Sequence, residues 1–239
     1  MNKLSEYLVN EILKENNNIT NIVVVFSGRF QPFHKNHYNS YQYLTKKFGS
    51  KNVFIGTSNK TGSDSPFNFK QKQTIISTMF NIPKNKIIQI KSPYAPEEVL
   101  KKFNEDNTVF IAGLGEKDAS RLIKRKYYDT YKNQKDLQPY KNKGYVEIIP
   151  LQSLKINGKL ISGTEVRKIF SSTDNNVKKD LFKILYNKFN QSIYDLIDNK
   201  VIKTESYDKF IQTVDIKKLI KEVTSARTDG GDVDDGPAT

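Results

Sequence analysis

The sequence contains no cysteine, only two histidines in 239 residues, and no apolar run that approaches the length of a bilayer. The absence of cysteine excludes disulfides and is consistent with a reducing compartment. A membrane-spanning helix needs roughly 20 consecutive apolar residues, and the N-terminal residues lack the continuous apolar segment of a signal peptide. We therefore expect a soluble, cytoplasmic protein with no membrane partner.

Both histidines lie in one short segment, Ser27 to His37, and stand three residues apart. An apolar, β-branched run, Ile22 to Phe26, precedes this segment and is typical of a buried strand. Apolar residues at helical spacing follow it from Tyr38 to Phe48. The pattern predicts a strand, a turn and a helix, with both imidazoles near the helix start. Free backbone N–H groups and the positive end of the helix dipole meet there, so we predict a phosphate-binding site.

The shortage of metal-binding side chains argues against a metal centre at the same place. Two histidines would supply only part of a zinc, copper or nickel site, and the chain has no cysteine and no third histidine. Phosphate binding is therefore the favoured interpretation of the histidine pair, and a metal site is the alternative.

Short strand patterns alternate with helical patterns along most of the chain. Apolar segments centred near five positions predict strands: Ile22, Val53, Ile87, Val109 and Val146. Helical spacing between them, for example from Asn68 to Phe80, predicts the covering helices. Such alternation indicates an α/β, Rossmann-like fold, a parallel sheet with helices on both faces. A short amphipathic helix, Leu4 to Leu13, precedes the first strand.

The charge is strongly positive, +13 at neutral pH, which keeps nucleic-acid binding as a rival hypothesis. Basic residues between Arg121 and Lys143 are interleaved with four tyrosines, a pattern that can follow a phosphate backbone and stack on bases. We favour the interpretation that this segment is a solvated loop or a lid over the site.

Two motifs resemble the nucleotidylyltransferase superfamily. The segment from Gly28 to His37 (GRFQPFHKNH) is similar to its HxGH signature, and the segment from Ile161 to Arg167 (ISGTEVR) is similar to its ISGTxxR signature. One HxGH motif alone is weak evidence for this superfamily, because class I aminoacyl-tRNA synthetases share the motif. The ordered pair is specific, and its wording is most similar to the nicotinamide mononucleotide (NMN) adenylyltransferases. The resemblance covers about Ile22 to Phe170.

The resemblance implies a reaction and its reactants. A nucleoside monophosphate, AMP from ATP, would be transferred onto a phosphorylated acceptor, NMN, to give NAD and pyrophosphate. CTP as the donor and other phosphorylated acceptors remain alternatives. Mg²⁺ would be bound mainly through the substrate phosphates, so no carboxylate cluster is needed.

The resemblance also assigns roles to residues at the two motifs. The catalytic residues would be His34, His37 and Arg167. The residues expected to bind nucleotide or phosphate are Ser27, Gly28, Arg29, Phe30, Lys35, Ser162, Gly163 and Thr164. In the second motif, Ser162 or Thr164 would cap a helix whose free amides, with Arg167, hold the β- and γ-phosphates.

A third segment follows the predicted strand near Val109. Ligands of open α/β sheets bind at the carboxyl ends of strands, so Gly113, Lys117 and Asp118 are candidates for binding the acceptor or the base. An ordinary strand-to-helix turn is an equal alternative. The segment from Thr57 to Lys60, which follows another strand, has the same two interpretations.

Three residues depart from the family pattern. Asn36 replaces the glycine between the histidines, and asparagine tolerates a left-handed turn better than most residues do. Gln71 and Lys72 replace a Glu-Arg pair in a segment where adenylyltransferases often have one. Because of these departures, the motifs do not identify the base of the donor nucleotide or the acceptor. They also leave a third hypothesis open, in which the chain is a scaffold protein whose enzyme fold has lost its activity.

The sequence predicts four regions. They are an N-terminal helix and linker over 1–18, the catalytic domain over 19–172, a helical C-terminal region over 176–223 and a disordered acidic tail over 224–239. The linker between the two central regions lies over 171–176. The C-terminal helices would pack on the catalytic domain or on a second subunit, so a homo-oligomer is possible.

Overall fold

The computed structural model describes residues 7–11, 13, 19–134, 136–150, 155–156, 159–160, 162–171 and 174–201. The chain forms two compact units, Met1–Ser153 and Leu154–Thr239. The division lies within the predicted catalytic domain, 19–172, so the predicted domain boundaries stay a prediction. The histidine segment belongs to the first unit and the second motif to the second.

The first unit is built on a six-stranded sheet in the order β3-β2-β1-β4-β6-β5, in which every neighbouring pair is parallel. The strands are β1 (Asn21–Ser27), β2 (Val53–Thr57), β3 (Ile87–Gln89), β4 (Thr108–Gly115), β5 (Tyr128–Thr130) and β6 (Gly144–Ile149). The five predicted strands and the predicted parallel sheet are confirmed. Strand β5 was not predicted, because its sequence, Tyr-Asp-Thr, contains no apolar run.

The alternation of side chains along β1 explains why both faces of the sheet are buried. Val23 and Val25 point into one hydrophobic cluster, and Ile22, Val24 and Phe26 point into the other. Successive side chains of a strand project to opposite faces, so an unbroken β-branched run requires a core on each side.

Helices cover both faces of this sheet, as predicted. They are α1 (Lys35–Phe48), α2 (Phe69–Phe80), α3 (Glu97–Leu100) and α4 (Glu116–Ile123), with a 3₁₀ turn at Lys84–Lys86. Helix α1 buries Tyr41, Leu44 and Phe48 in the cluster that contains Val24. Helices α3 and α4 contribute to the cluster on the opposite face. The fold is therefore a Rossmann-like α/β fold.

The strand order places a crevice beside β1. The chain runs outward from β1 to β2 and β3, and then returns to the other side of β1 with β4. Ser27 at the end of β1 is in register with Gly56 of β2, and Phe26 is in register with Gly113 of β4. Ligands of open α/β sheets bind outside the carboxyl ends of the strands at such a reversal.

A buried ion pair joins α1 to the sheet. Glu147 of β6 is 3% exposed and accepts hydrogen bonds from Lys47 at 2.8 Å and from the Tyr43 hydroxyl at 2.5 Å. Both donors belong to α1, so the helix that begins at the histidines is fixed to the sheet at its far end. The carboxylate has two donors, as a buried charge requires.

The N-terminal helix is confirmed in its described part. Residues 7–11 and 13 are helical, and Val9 is buried in the same cluster as Val24. Leu4, where the predicted helix begins, lies outside the described residues.

In its described residues, the second unit contains an antiparallel pair of short strands and three helices. The elements are β7 (Lys155–Ile156), β8 (Lys159–Leu160), α5 (Gly163–Phe170), α6 (Asn175–Tyr186) and α7 (Gln191–Lys200). Phe170, Phe182 and Tyr194 form an aromatic core between these helices. The predicted helices after 176 are confirmed up to Lys200. The predicted linker is too long, because Asp174 caps α6; the predicted tail, 224–239, lies outside the described residues.

Candidate functional site

The two histidines lie together at the start of α1, as the sequence predicts. His34 is the N-cap residue of the helix and His37 occupies its first turn. Their ring centroids are 4.0 Å apart. The backbone N–H of His34 donates to Nδ1 of His37 at 3.2 Å, and the two residues form a reciprocal capping box. A ring that accepts at Nδ1 bears its proton on Nε2, so His37 offers an N–H donor at Nε2.

Burial keeps both rings neutral. His34 is 2% exposed, and burial lowers its pKa from 6.5 to about 4. Burial lowers the pKa of His37 well below its ordinary value, and the neighbouring His34 lowers it further. Within the described part of the chain, Nε2 of His34 has no hydrogen-bond partner although it is buried. A buried polar group normally has a partner, so this nitrogen is suited to a ligand that the protein alone does not supply.

Two phenylalanine rings pack against His37. Phe30 packs edge-on against His37 with ring centroids 5.0 Å apart, and Phe33 lies 5.3 Å from the same ring. Phe30 is 4% exposed, so its ring supports His37 from below. Direct nucleotide binding by Phe30 stays a prediction. A Cβ on Gly28 would lie 2.5 Å from the Phe30 ring, which explains the glycine at that position.

Phe30 has a left-handed backbone, with φ of 48°. Such a φ is a genuine outlier for a bulky residue and costs on the order of 1–3 kcal/mol. The rings of Phe26, Phe33 and His37 pack around the Phe30 ring, and these contacts hold the backbone in the strained conformation. This strained turn directs the chain from β1 to the histidines.

Gln31 anchors the same loop to the segment before α2. Its side-chain amide donates to the carbonyl of Phe67 at 3.0 Å and accepts from the N–H of Phe67 at 2.9 Å. Gln31 is 6% exposed and Phe67 is fully buried. This two-point contact mimics a strand pairing and fixes the loop that ends at His34.

Asn36 occupies the first turn of α1 and does not need a special backbone. It is not among the described residues with positive φ, so the family glycine at this position is not required here for conformational freedom. The predicted turn around Asn36 is helical. Any effect of its side chain on the base stays a prediction.

A cavity of about 550 Å³ opens at the carboxyl ends of β1 to β4. Ser27, Gly28 and Arg29 line it from the histidine loop. The hydroxyl oxygen of Ser27 is buried and has no hydrogen-bond partner among the described residues. The volume of the cavity is in the range of small-molecule sites, roughly 300–1,000 Å³. Three of the predicted phosphate-binding residues therefore border one ligand-sized space.

The walls of this cavity are mainly positive. The charged residues that line it are Arg29, Lys60, Lys91, Asp118 and Arg121. Arg121 pairs with Asp118 at 3.3 Å. The ion pairs of the described residues involve none of the other three cations. Unpaired cations around a concave space attract anions.

The three candidate residues of the third predicted segment lie in different environments. Asp118 lines the cavity and accepts from the Tyr94 hydroxyl at 3.3 Å. Gly113 is buried in β4, where a Cβ would lie 2.6 Å from Leu44, so its evident role is close packing of α1 on the sheet. Lys117 is exposed on α4 and lies outside the cavity lining. Lys35, the first residue of α1, is half-buried.

The second motif forms a capped helix start, as predicted. The hydroxyl of Ser162 accepts from the N–H of Glu165 at 3.3 Å, so Ser162 is the cap of α5. Gly163 is the first residue of the helix, and Arg167 donates to the Thr164 hydroxyl at 3.3 Å. Ser162 and Thr164 are exposed. Their binding of phosphate stays a prediction.

The tyrosine-rich segment is packed into the fold, which corrects the predicted solvated loop or lid. It includes the edge strand β5, and Tyr128 and Tyr131 are 6% and 7% exposed. The hydroxyl of Tyr140 donates to the carbonyl of Phe103 at 3.0 Å. Rings that are buried in the core are not available to stack on bases.

The described residues contain no group of three or more His, Asp or Glu side chains that would hold a metal ion. No helix in the described ranges is both long enough and apolar enough to cross a bilayer.

Several residues that line the cavity or support the histidine loop were not predicted from the sequence. Lys91 and Tyr94 follow β3, so the rule that found Asp118 after β4 would have found them too. Gln31 gave no signal, because its partner lies 36 residues away.

Comparisons with known proteins place this fold in a family. Residues 25–169 match the model of the family described as cytidylyltransferase-like. No curated protein matches the chain.

Solved structures resemble it at low identity. A bifunctional NMN adenylyltransferase/ADP ribose pyrophosphatase from Francisella tularensis has a TM-score of 0.49 and 20% identity; the match covers 87% of this chain and 54% of that one. The same enzyme complexed with AMP and a Mn ion has a TM-score of 0.46 and 18% identity over the same shares. Nicotinic acid mononucleotide adenylyltransferase from Plasmodium falciparum has a TM-score of 0.47 and 16% identity, covering 75% of this chain and 96% of that one.

Proposed function

The chain belongs to the cytidylyltransferase-like family, and from this premise we propose that it is a nucleotidylyltransferase. The proposed reaction transfers AMP from ATP onto NMN, forming NAD and releasing pyrophosphate. The choice of ATP and NMN depends on the wording of the two sequence motifs. CTP as donor, and another phosphorylated acceptor, are the alternatives within the same chemistry.

The observation that supports the reaction best is the histidine pair. Two neutral imidazoles, 4.0 Å apart at the start of α1, include a buried Nε2 that has no hydrogen-bond partner among the described residues. A phosphate bound there would accept from the Nε2–H groups of His34 and His37 and from free amides of the helix start. Donors that are already oriented stabilise the negative charge that develops during transfer.

The chemical step is an in-line displacement at phosphorus. An oxygen of the acceptor phosphate forms a bond with the α-phosphorus of ATP. The bond from that phosphorus to the oxygen bridging the α- and β-phosphates breaks, and pyrophosphate leaves with the electron pair. Such transfers depend on positioning and charge neutralisation more than on covalent help from the protein. His37 would bind the α-phosphate, and Mg²⁺ would arrive as part of the ATP substrate and neutralise phosphate charge.

The cavity beside the histidine loop is the proposed acceptor site. Its cations Arg29, Lys60 and Lys91, which form no ion pair with another described residue, suit a phosphorylated molecule, and its volume suits a mononucleotide. The buried hydroxyl of Ser27 would donate to the acceptor. In the second unit, phosphate binding by the amides at the start of α5 and by the fork of Arg167 stays part of the proposal, on the resemblance of the second motif.

The direct test is pyrophosphate release by the purified protein with Mg²⁺, ATP or CTP, and a panel of phosphorylated acceptors that includes NMN. We expect turnover with ATP and NMN. His37→Ala should lower kcat by about 10²–10³-fold, because one preorganised donor to the transition state is lost. His37→Gln, which keeps an N–H donor, should retain more activity than His37→Ala.

Two outcomes of this assay would change the proposal. Turnover only with another pair of substrates would keep the reaction and replace the acceptor or the donor. No turnover with any pair, together with oligonucleotide binding that weakens steeply as salt rises, would instead support nucleic-acid binding.

A further inference from the structure

Lys72 is a completely buried lysine in α2, with 0% of its surface exposed. Lysine is almost never fully buried unless it is paired with a carboxylate. None of the ion pairs found within the described ranges includes Lys72. Burial alone lowers the pKa of its ammonium group, to about 8, so the group is charged at neutral pH.

Three oxygens surround this ammonium group. It donates to the Thr57 hydroxyl at 2.9 Å, to the Arg29 carbonyl at 3.2 Å and to the Ser58 carbonyl. An ammonium group has three N–H donors, so each donor has one acceptor. Its hydrogen bonds are satisfied although its charge is not balanced.

These acceptors belong to two different loops of the cavity. Arg29 lies in the loop from β1 to α1, and Thr57 and Ser58 lie at the end of β2. Arg29 and Ser58 line the cavity, whereas Lys72 does not. Lys72 therefore joins two walls of the cavity through their backbone.

The unbalanced charge also has a consequence for ligands. Burying an unpaired cation is unfavourable, and a nearby anion offsets that cost. Coulomb attraction is stronger in a protein interior than in water, because the effective dielectric constant is lower. An anion bound against Arg29 and Ser58 would be the natural partner of this charge.

We propose that Lys72 is a positioning residue that fixes the β1 and β2 loops of the cavity and gives the cavity a buried positive charge, which selects phosphate-bearing acceptors. The proposal deepens the proposed function, because it takes this cavity as the acceptor site. A lysine with a purely structural role would stabilise the fold but would not change the affinity for anions.

The test uses the full chain and four variants. Lys72→Gln keeps hydrogen-bond donors and removes the charge, Lys72→Met removes both, and Lys72→Arg keeps the charge. Lys70→Gln is the matched control, because Lys70 is an exposed lysine of the same helix. Thermal unfolding establishes which variants are folded, and Lys72→Met replaces Lys72→Gln in the comparison if the latter does not fold.

The first readout is the affinity for inorganic phosphate, measured by calorimetric titration. Loss of one buried charge should weaken it by about tenfold in Lys72→Gln. Lys72→Arg keeps the positive charge, so its affinity for phosphate should stay within about threefold of the parent, and Lys70→Gln should be unchanged. A folded Lys72→Gln or Lys72→Met that binds phosphate as the parent does would overturn the proposal.

The second readout is turnover with ATP and NMN. In Lys72→Gln the KM for NMN should rise by about tenfold while kcat changes much less, which a general loss of stability would not produce. If the parent shows no turnover with any acceptor but Lys72→Gln still loses phosphate affinity, the reaction is wrong and the role of Lys72 is supported. If the parent turns over and the variant keeps the same KM, the reaction stands and the role of Lys72 is refuted.

Discussion

Neutral histidines are better suited to this site than charged ones. A charged imidazole buried beside another would be costly, and burial holds the pKa of His34 near 4. A neutral ring with its proton on Nε2 remains a directed donor, and its orientation is fixed by the hydrogen bond at Nδ1. The helix start supplies further N–H donors, so a phosphate bound as proposed would be met by oriented dipoles.

The lowered pKa of His34 predicts how stability depends on pH. The unfolded chain binds a proton near pH 6.5 and the folded chain only near pH 4. The contribution of the neutral His34 ring to the free energy of unfolding is therefore fully present above about pH 6.5. It is lost as the pH falls toward 4, because the unfolded chain then binds a proton that the folded chain does not bind. The loss should reach about 3 kcal/mol for a shift of this size.

Chemical unfolding at several pH values measures this effect. The free energy of unfolding of the parent should fall more steeply between pH 6.5 and 4 than that of His34→Gln. Carboxylates titrate in both proteins, so the difference between the two curves isolates the histidine. Parallel curves would show that His34 is not buried in its neutral form.

Some residues of the site were predictable from their neighbours and others were not. The histidines were identified because a strand pattern precedes them and a helical pattern follows. Lys72 was singled out only as a departure from the family pattern. Its burial was not predictable, because lysine normally lies on the surface and its acceptors, at Arg29 and Ser58, are distant in the sequence. The buried, left-handed Phe30 also gave no local signal.

Helix α1 shows where pattern recognition stops. Its apolar residues predict the helix from Tyr38, whereas it begins at Lys35. The first turn is polar and adds nothing to the hydrophobic period, so the sequence alone cannot include it. The capping box between His34 and His37 sets the true beginning, and the same two residues form the proposed phosphate site.

The contact between α1 and β4 predicts the effect of a substitution at Gly113. A Cβ at that position would lie 2.6 Å from Leu44, which is fully buried in α1. Gly113→Ala should therefore destabilise the fold by about 1–3 kcal/mol, the usual cost of overpacking a core. Gly62→Ala, where a Cβ meets nothing within 4 Å, should stay within about 0.5 kcal/mol.

Denaturant titration of both variants checks this packing role. From the sequence, Gly113 was also a candidate for a ligand contact, because it follows the predicted strand near Val109. An unchanged stability for Gly113→Ala together with a raised KM for the acceptor would support that earlier interpretation and contradict the packing role.

The parallel sheet determines where the site forms, but not what it binds. Strands patterned for burial on both faces predict a parallel sheet, and such a sheet gathers the loops at its carboxyl edge. The strand order that brings Ser27, Ser58, Lys91 and Asp118 around one cavity is a tertiary property. Acceptor specificity depends on the shape of that cavity, so the sequence predicted the reaction class more firmly than the substrate.

The fold changes which kind of ligand the net charge of +13 favours. Of the four tyrosines that suggested a base-stacking surface, Tyr128 and Tyr131 are buried, and the other two are partly buried against the core. Cations that form no ion pair among the described residues line the cavity. These positions favour a small anionic ligand over a nucleic-acid strand.

The most direct test of the central claim is a nuclear magnetic resonance titration of the untagged, nitrogen-15-labelled protein with Mg²⁺ and ATP. The chain has only two histidines, so only two imidazoles contribute to the side-chain spectrum. We predict that both rings of the free protein are neutral at pH 7 with the proton on Nε2, and that both signals shift strongly as ATP binds. Unchanged imidazole signals at saturating ATP would contradict phosphate binding by His34 and His37.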